Sequence, residues 1–382
     1  MKLDVQREQP VSTKGLEGIK AAASEICFID GLEGRLLYRG YNIHELADHS
    51  SFEEVVHLLW DGELPSRQQL DATRKALAAE RKLAQPVVDL IRSMPRGALP
   101  MDVLRTAVSL AGVYDPDAHL MTSEANRRKA VRLTAQVATI VAAIERCRSG
   151  AAPVDPDPSL GHAANFVYML TGRRPSDLET RSMDLILLLH ADHDFNASTF
   201  TARGICSTLA DMHSAVTGAI GSLKGPLHGG AGVGVLDALE DVGDVSGVEN
   251  YVRDRLAHKE KIMGFGHRVY KVEDPRAMHL RDLGKLLAER SGDLKWYQMA
   301  IEMENVVKQE LTINVNVDFY SAIVQRYLGI SKELFTCTFA ASRIAGWTAH
   351  IMEQYANNRL IRPLSDYVGP AERSYIPMDE RG

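Results

Sequence analysis

Apolar residues along most of this chain recur every three to four positions, the period of a helix with one buried face. Val137, Ile140, Val141 and Ile144 in "RLTAQVATIVAAIERCRSG" share one such face, and Gly150 marks its stop. "SFEEVVHLLWDGELP" opens with a capping box, Ser51 to Glu54, and closes near Gly62 and Pro65. The same start signal is expected at Ser176 with Glu179 and at Ser246 with Glu249. "PMDVLRTAVSLAGVYDP" places Pro100 at a first helical position and ends by Asp115-Pro116. Only residues 25–45 read differently. Short apolar runs there flank Asp30-Gly31 and Gly34, which predicts a small hairpin. "AAPVDPDPSLG" is a proline-rich break between helices. Helices with almost no strands predict an all-α protein, and no internal repeat is visible.

Composition fits that picture. The chain has 382 residues, 45% hydrophobic and 25% charged, enough for a large core and two or three domains. A net charge of −6 speaks against a general nucleic-acid binder. Cys27, Cys147, Cys206 and Cys337 are scattered without a CxxC pair, so reduced, buried thiols are expected rather than zinc or disulfides. The polar start has no signal-peptide core, and runs such as "DLILLLHADH" fall far short of the roughly 20 apolar residues of a membrane span. A cytoplasmic or organelle-matrix protein is expected.

Four patches carry candidate chemistry. In "GPLHGGAGVGV", His228 precedes a helix, whose positive end favours a neutral imidazole able to polarise a carbonyl. The plain alternative is a glycine turn with an incidental histidine. "GGAGVG" lacks the strand and the Lys-Ser/Thr of a phosphate loop and is not read as one. Around "GFGHRVYKVEDPR", seven basic side chains face four acids between Arg253 and Arg276. A local basic excess on an acidic chain suits a small anionic ligand, which arginine can grip bidentately. Arg253, Arg255 and Lys259 also suit a solvated face. "LHADHDF" offers His190 and His193, a pair compatible with a metal-dependent hydrolase but without HExxH or a third histidine. One histidine turned toward a pocket is the preferred reading. In "NVNVDFY", Asp318 sits among apolar residues and would become a stronger base, but taken alone it is read as the cap of the following helix.

Together "GPLHGGA", "GFGHRVYKVEDPRA" and "NVDFYSAIVQRYLGI" resemble the citrate synthase family. "FIDGLEGRLLYRGYNIHELA", "PMDVLRTAVS" and "FTCTFAASRIAGWTAHIMEQYANNRLIRPLSDYVG" extend the resemblance over nearly the whole chain, in its shorter bacterial and archaeal form. The resemblance implies an all-α homodimer, with hexamers also known. Each subunit would have a large domain from 1–225 and 329–382 and a small domain, 226–328, closing over a cleft. It further implies that acetyl-CoA and oxaloacetate condense, with citryl-CoA then hydrolysed to citrate and CoA, without metal or redox cofactor. Asp318 would be the base, His228 would stabilise the enol, and His267 would polarise the ketone. Motif match assigns Arg276, Arg343, Arg362 and His193 to oxaloacetate, Arg362 from the partner subunit. Arg81 is a looser match for a further substrate arginine. CoA would lie along Lys261, Ile262, Met263, Gly264 and Phe265, and near Lys271. A 2-methylcitrate synthase, using propionyl-CoA, resembles the chain at the same motifs, and one methylene is worth only about 1–3 kcal/mol of discrimination. A non-catalytic helical scaffold would leave these matched positions without a task. Where many relatives read "GPLHGGANE", this chain has Gly232 and Val233 in place of Asn and Glu.

Overall fold

A computed structural model describes residues 14–16, 18–365 and 367–382. The hairpin is present: β1 (Cys27–Asp30) pairs antiparallel with β2 (Arg35–Tyr38), Phe28 opposite Leu37. A two-residue β3 (Tyr41–Asn42) adds to β2.

Sixteen α-helices follow among the described residues. The first ten are α1 (Ile43–His49), α2 (Phe52–Asp61), α3 (Arg67–Ala79), α4 (Gln85–Ser93), α5 (Pro100–Val113), α6 (Ser123–Arg148), α7 (His162–Thr171), α8 (Asp177–His190), α9 (Ala197–Cys206) and α10 (Met212–Leu223). Then come α11 (Ala231–Val242), α12 (Val248–Ala257), α13 (Ala277–Ser291), α14 (Lys295–Leu311), α15 (Val317–Tyr327) and α16 (Phe335–Ala356). None is long and apolar enough to cross a membrane.

The capping boxes of α2 and α8 form as read, Ser51 with Glu54 and Ser176 with Glu179. Pro100 is the first residue of α5. The expected box at Ser246 and Glu249 does not form. Asp244 accepts the backbone N–H groups of Ser246 and Gly247 instead, building a short 3-10 turn before α12 begins at Val248. An aspartate two residues upstream takes the Ser246 N–H that the Glu249 side chain would need, so the box does not close. The other correction concerns Asp318. The cap of α15 is Asn316, whose side chain accepts from the Asp318 N–H. Asp318 is therefore inside the first turn, and its carboxylate is free of capping.

The core centres on α16, which packs on α2, α6, α8, α9 and α10. Its Trp347, Ile344 and Ile351 are fully buried. α11, α13 and α14 gather around α15, and α12 packs on α14. Close approach explains one glycine on α16. A Cβ at Gly346 would lie 2.3 Å from Asp192 Oδ1 and 2.4 Å from Ala191 O, and its N–H donates to Ala191 O. This contact seats the turn after α8, with His193, against the helix that carries Arg343. Beyond α16 the described residues form no further α-helix, only a 3-10 turn at Met378–Glu380, and Leu364, Val368 and Tyr375 are exposed.

Candidate active site

The three candidate catalytic side chains come from different segments, and backbone pairing joins two of them. Gly266 N–H donates to Asn314 O, and Asn316 N–H donates to Gly264 O. Phe265 and Val315 form the bridge between these bonds. The His267 turn is thus stitched to the start of α15, one turn from Asp318. Only glycine fits at 264. Its φ is +84°, and a Cβ would sit 2.6 Å from Val235 and 2.7 Å from Phe319.

Asp274 completes the join. Its carboxylate holds Arg276 through two parallel bonds, Nε to Oδ1 at 2.9 Å and a terminal nitrogen to Oδ2 at 2.7 Å. Its Oδ2 also accepts the Val317 N–H at 3.1 Å. Burial alone would lift the Asp274 carboxyl, but the Arg276 guanidinium beside it holds it below the usual range. Burial likewise opposes the Arg276 charge, and Asp274 more than restores it. An arginine fixed on one side keeps its remaining donors in a set direction.

The two imidazoles are each set in one tautomer. His267 Nδ1 accepts the N–H groups of Val269 and Tyr270, at 3.0 and 3.1 Å. Backbone N–H can only donate, so the ring proton sits on Nε2. Burial, then Arg276, lowers His267 to about 4, so it is neutral near pH 7. For His228 the engaged nitrogen is the other one. Ser198 N–H donates to Nε2 at 3.3 Å, and Ser198 Oγ lies 2.8 Å from the same atom. The proton is therefore on Nδ1. Trp347 Nε1–H donates to Ser198 Oγ at 3.1 Å and steadies the serine. His228 sits just before the Gly230 cap of α11, and burial, then Arg343, lowers it to about 4. The site holds two neutral donors of opposite tautomer.

The Asp318 carboxylate accepts no hydrogen bond from the described residues. Burial pushes it up to about 6, against the pull of Arg276 and Arg343 and with the help of Asp274. A carboxylate of that strength is ionised near pH 7 and basic enough to take a carbon-bound proton.

His193 packs edge-on to His267, with ring centroids 5.2 Å apart, and its Nε2 is 3.2 Å from the Tyr270 hydroxyl. Burial drives its pKa well below the ordinary value, with Arg276 and His267 adding to the shift. Arg343 is buried, donates Nε–H to His190 O at 2.6 Å and lies over the Phe339 ring. Arg276, Arg343, His193 and His267 thus converge. His190 does not join them as a metal ligand. Its Nδ1 donates to Ile186 O within its own helix, and no cluster of three His, Cys, Asp or Glu able to hold a metal exists among the described residues.

Arg81 stands apart. It is buried and donates to the carbonyls of Asp157 and Leu160, anchoring the proline-rich loop, and the charges that act on it are Glu53 and Asp157. Arg362 is exposed on the C-terminal segment, outside the cluster. Of the 261–265 stretch, Lys261 is exposed, Ile262 and Gly264 are buried, and Met263 and Phe265 are half-buried; Lys271 is exposed. The sequence reading missed Ser198, Trp347 and Tyr270, and it counted Asp274 only as an offsetting charge. "DPR" was a usable signal for Asp274, because an aspartate two residues before an arginine can fold back on it. Nothing local marks Ser198, which lies 30 positions from His228.

A family model described as "Citrate synthase, C-terminal domain" matches residues 15–364. The chain belongs to the citrate synthase family. Citrate synthase 2 of Bacillus subtilis (strain 168) is 48% identical over 371 residues, 97% of this chain and 99% of that protein. The 2-methylcitrate synthase 1 of Corynebacterium glutamicum is 42% identical over 373 residues, 96% and 98% of the two chains. The ternary complex of carboxymethyl coenzyme A and oxaloacetate with citrate synthase from Thermoplasma acidophilum superposes with a TM-score of 0.91 at 32% identity, covering 96% and 98%. The mostly helical architecture of this citrate synthase family member, with its small antiparallel sheet, is thus the fold of its relatives. Both names expected from the motifs occur among them.

Proposed function

We propose that the protein is an acyltransferase that condenses acetyl-CoA with oxaloacetate and releases citrate and CoA. The observation that carries this is the pairing of a raised, unpartnered Asp318 carboxylate with two neutral imidazoles, each keeping one free N–H. Asp318 takes a proton from the acetyl methyl. His228 Nδ1–H donates to the thioester oxygen as negative charge grows there, and His267 Nε2–H polarises the ketone of oxaloacetate. The enol carbon attacks that ketone, forming the new carbon–carbon bond. Water then cleaves the thioester of citryl-CoA. Each step is proton transfer or carbonyl addition, so no metal or redox cofactor is required.

Two carboxylates on oxaloacetate call for several fixed cations. Arg276 and Arg343 supply them, with His193 alongside and Arg362 contributed across a homodimer. The exposed apolar side chains on the same C-terminal segment support such an interface. CoA is assigned to Lys261, Ile262, Met263, Gly264, Phe265 and Lys271, and residues 226–328 to a small domain that closes over the ligands. Free thiols at all four cysteines suit a reducing, cytoplasmic setting.

The test mixes protein, oxaloacetate and either acetyl-CoA or propionyl-CoA, and follows free CoA thiol. Release that needs oxaloacetate and survives EDTA is expected. Loss with EDTA would favour metal-dependent hydrolysis. The similarity to a 2-methylcitrate synthase favours one second reading, and a higher kcat/KM with propionyl-CoA would establish it.

A further inference from the structure

Behind Asp318 lies a small cavity that the reaction as described does not use. Asp318, Ser321 and Gln325 share one face of α15, at helical spacing, and all three line it. His190 and Gly232 close it from α8 and α11, and Phe339 from α16. It has about 10 Å³ for the centre of a water molecule, room for one.

Its walls are unevenly satisfied. Gln325 is 4% exposed, and its Nε2–H donates to Ser321 Oγ at 3.2 Å. Its Oε1 is buried and accepts no hydrogen bond. His190 gives its Nδ1 proton to Ile186 O, so as a neutral ring it presents Nε2 as an acceptor. The Ser321 hydroxyl can donate inward. One water there would accept from the Ser321 hydroxyl and give its two protons to Gln325 Oε1 and to Asp318, three partners in all, the usual number for a buried water. Gly232 keeps the space open: a Cβ on it would make only ordinary contacts, 3.8 Å from Phe335 and 3.9 Å from Asp318 O.

We propose that Gln325 and Ser321 hold one buried water behind Asp318, which hydrogen-bonds its carboxylate and fixes the oxygen that faces the substrate. Gln325 is then a positioning residue, acting through the water. This rests on the reading of Asp318 as the base. The charged and titratable groups facing that carboxylate are Arg276 and Asp274 ahead of α13, Arg343 on α16 and His190 on α8. The water adds a neutral donor to the carboxylate, and it favours the ionised form.

Two variants remove the water from opposite walls. Gln325→Met deletes the acceptor at nearly constant shape, and Gly232→Ala fills the space inside a helix without strain. Both should lower kcat about three- to tenfold, leave KM for oxaloacetate within about twofold, and move the acidic limb of kcat/KM to higher pH by about half a unit. A purely structural role would change thermal stability and leave the pH profile where it was. A high-resolution crystal structure of the unaltered protein should show one ordered water within hydrogen-bond reach of Gln325 Oε1. An empty cavity, or wild-type acidic limbs in both variants, overturns the proposal. Asp318→Asn is run in parallel. If it retains turnover, the assignment of the base fails; if it is inactive while the other two titrate like wild type, only the water fails.

Discussion

The turns that carry His267 and His228 reach the same chemical state by different routes. In the 264–276 turn nearly everything is local: His267 is fixed by backbone N–H groups two and three residues on, and Arg276 by a carboxylate two residues back. His228 has no such support within its own turn. Its tautomer depends on Ser198 at the start of α9, held in turn by Trp347 on α16. A locally closed turn resists side-chain mutation around it, because backbone donors cannot be deleted. A turn supported from elsewhere is open to distant substitutions.

The largest effect tests what both turns serve. Asp318→Asn keeps the shape and removes the proposed base, and kcat should fall about 10³-fold, measured by thiol release. A loss under tenfold would place the base elsewhere. Next is pH. Asp318 must be ionised to act and is pushed up to about 6, so kcat/KM should drop about tenfold per unit below pH 6. His267 and His228, lowered to about 4, stay neutral throughout that range and should add no second break above pH 5. An additional acidic break between pH 6 and 7 that vanished on replacing either histidine would contradict their neutrality.

The contrast itself is tested by Ser198→Ala. It should cost about tenfold in kcat, with KM for oxaloacetate little changed, because only the 3.3 Å bond from the Ser198 N–H then holds the His228 ring. If kcat holds, the Ser198 N–H alone fixes the ring and the hydroxyl is dispensable. The smallest catalytic effect is expected at Arg81. Arg81→Met should destabilise the fold by about 1–3 kcal/mol, through two part-buried carbonyls left without their donor, while kcat/KM stays within about twofold. Loss of substrate affinity at unchanged stability would return Arg81 to the site.

The same local–distant division governs what could be read in advance. Helix periodicity, the boxes at Ser51 and Ser176 and the Pro100 start depend on neighbours three or four positions away, and each formed. The box at Ser246 failed because Asp244 took the Ser246 N–H that Glu249 would have capped. Asp318 was ambiguous between cap and base, since both demand an aspartate near a helix start. Asn316 takes the cap, which leaves the Asp318 carboxylate free of that task.

The sequence by itself determined the helical class, the hairpin, the family motifs and the identity of the candidate catalytic side chains. Those features reside in residue type and short-range spacing, which survive without knowledge of the fold. Tertiary structure alone decided the protonated nitrogen of each imidazole, the rise of Asp318 through burial, and the bonding of Arg81 to the proline-rich loop. Each depends on what packs against a side chain from a distant part of the chain, and hydrogen bonding and desolvation act through space.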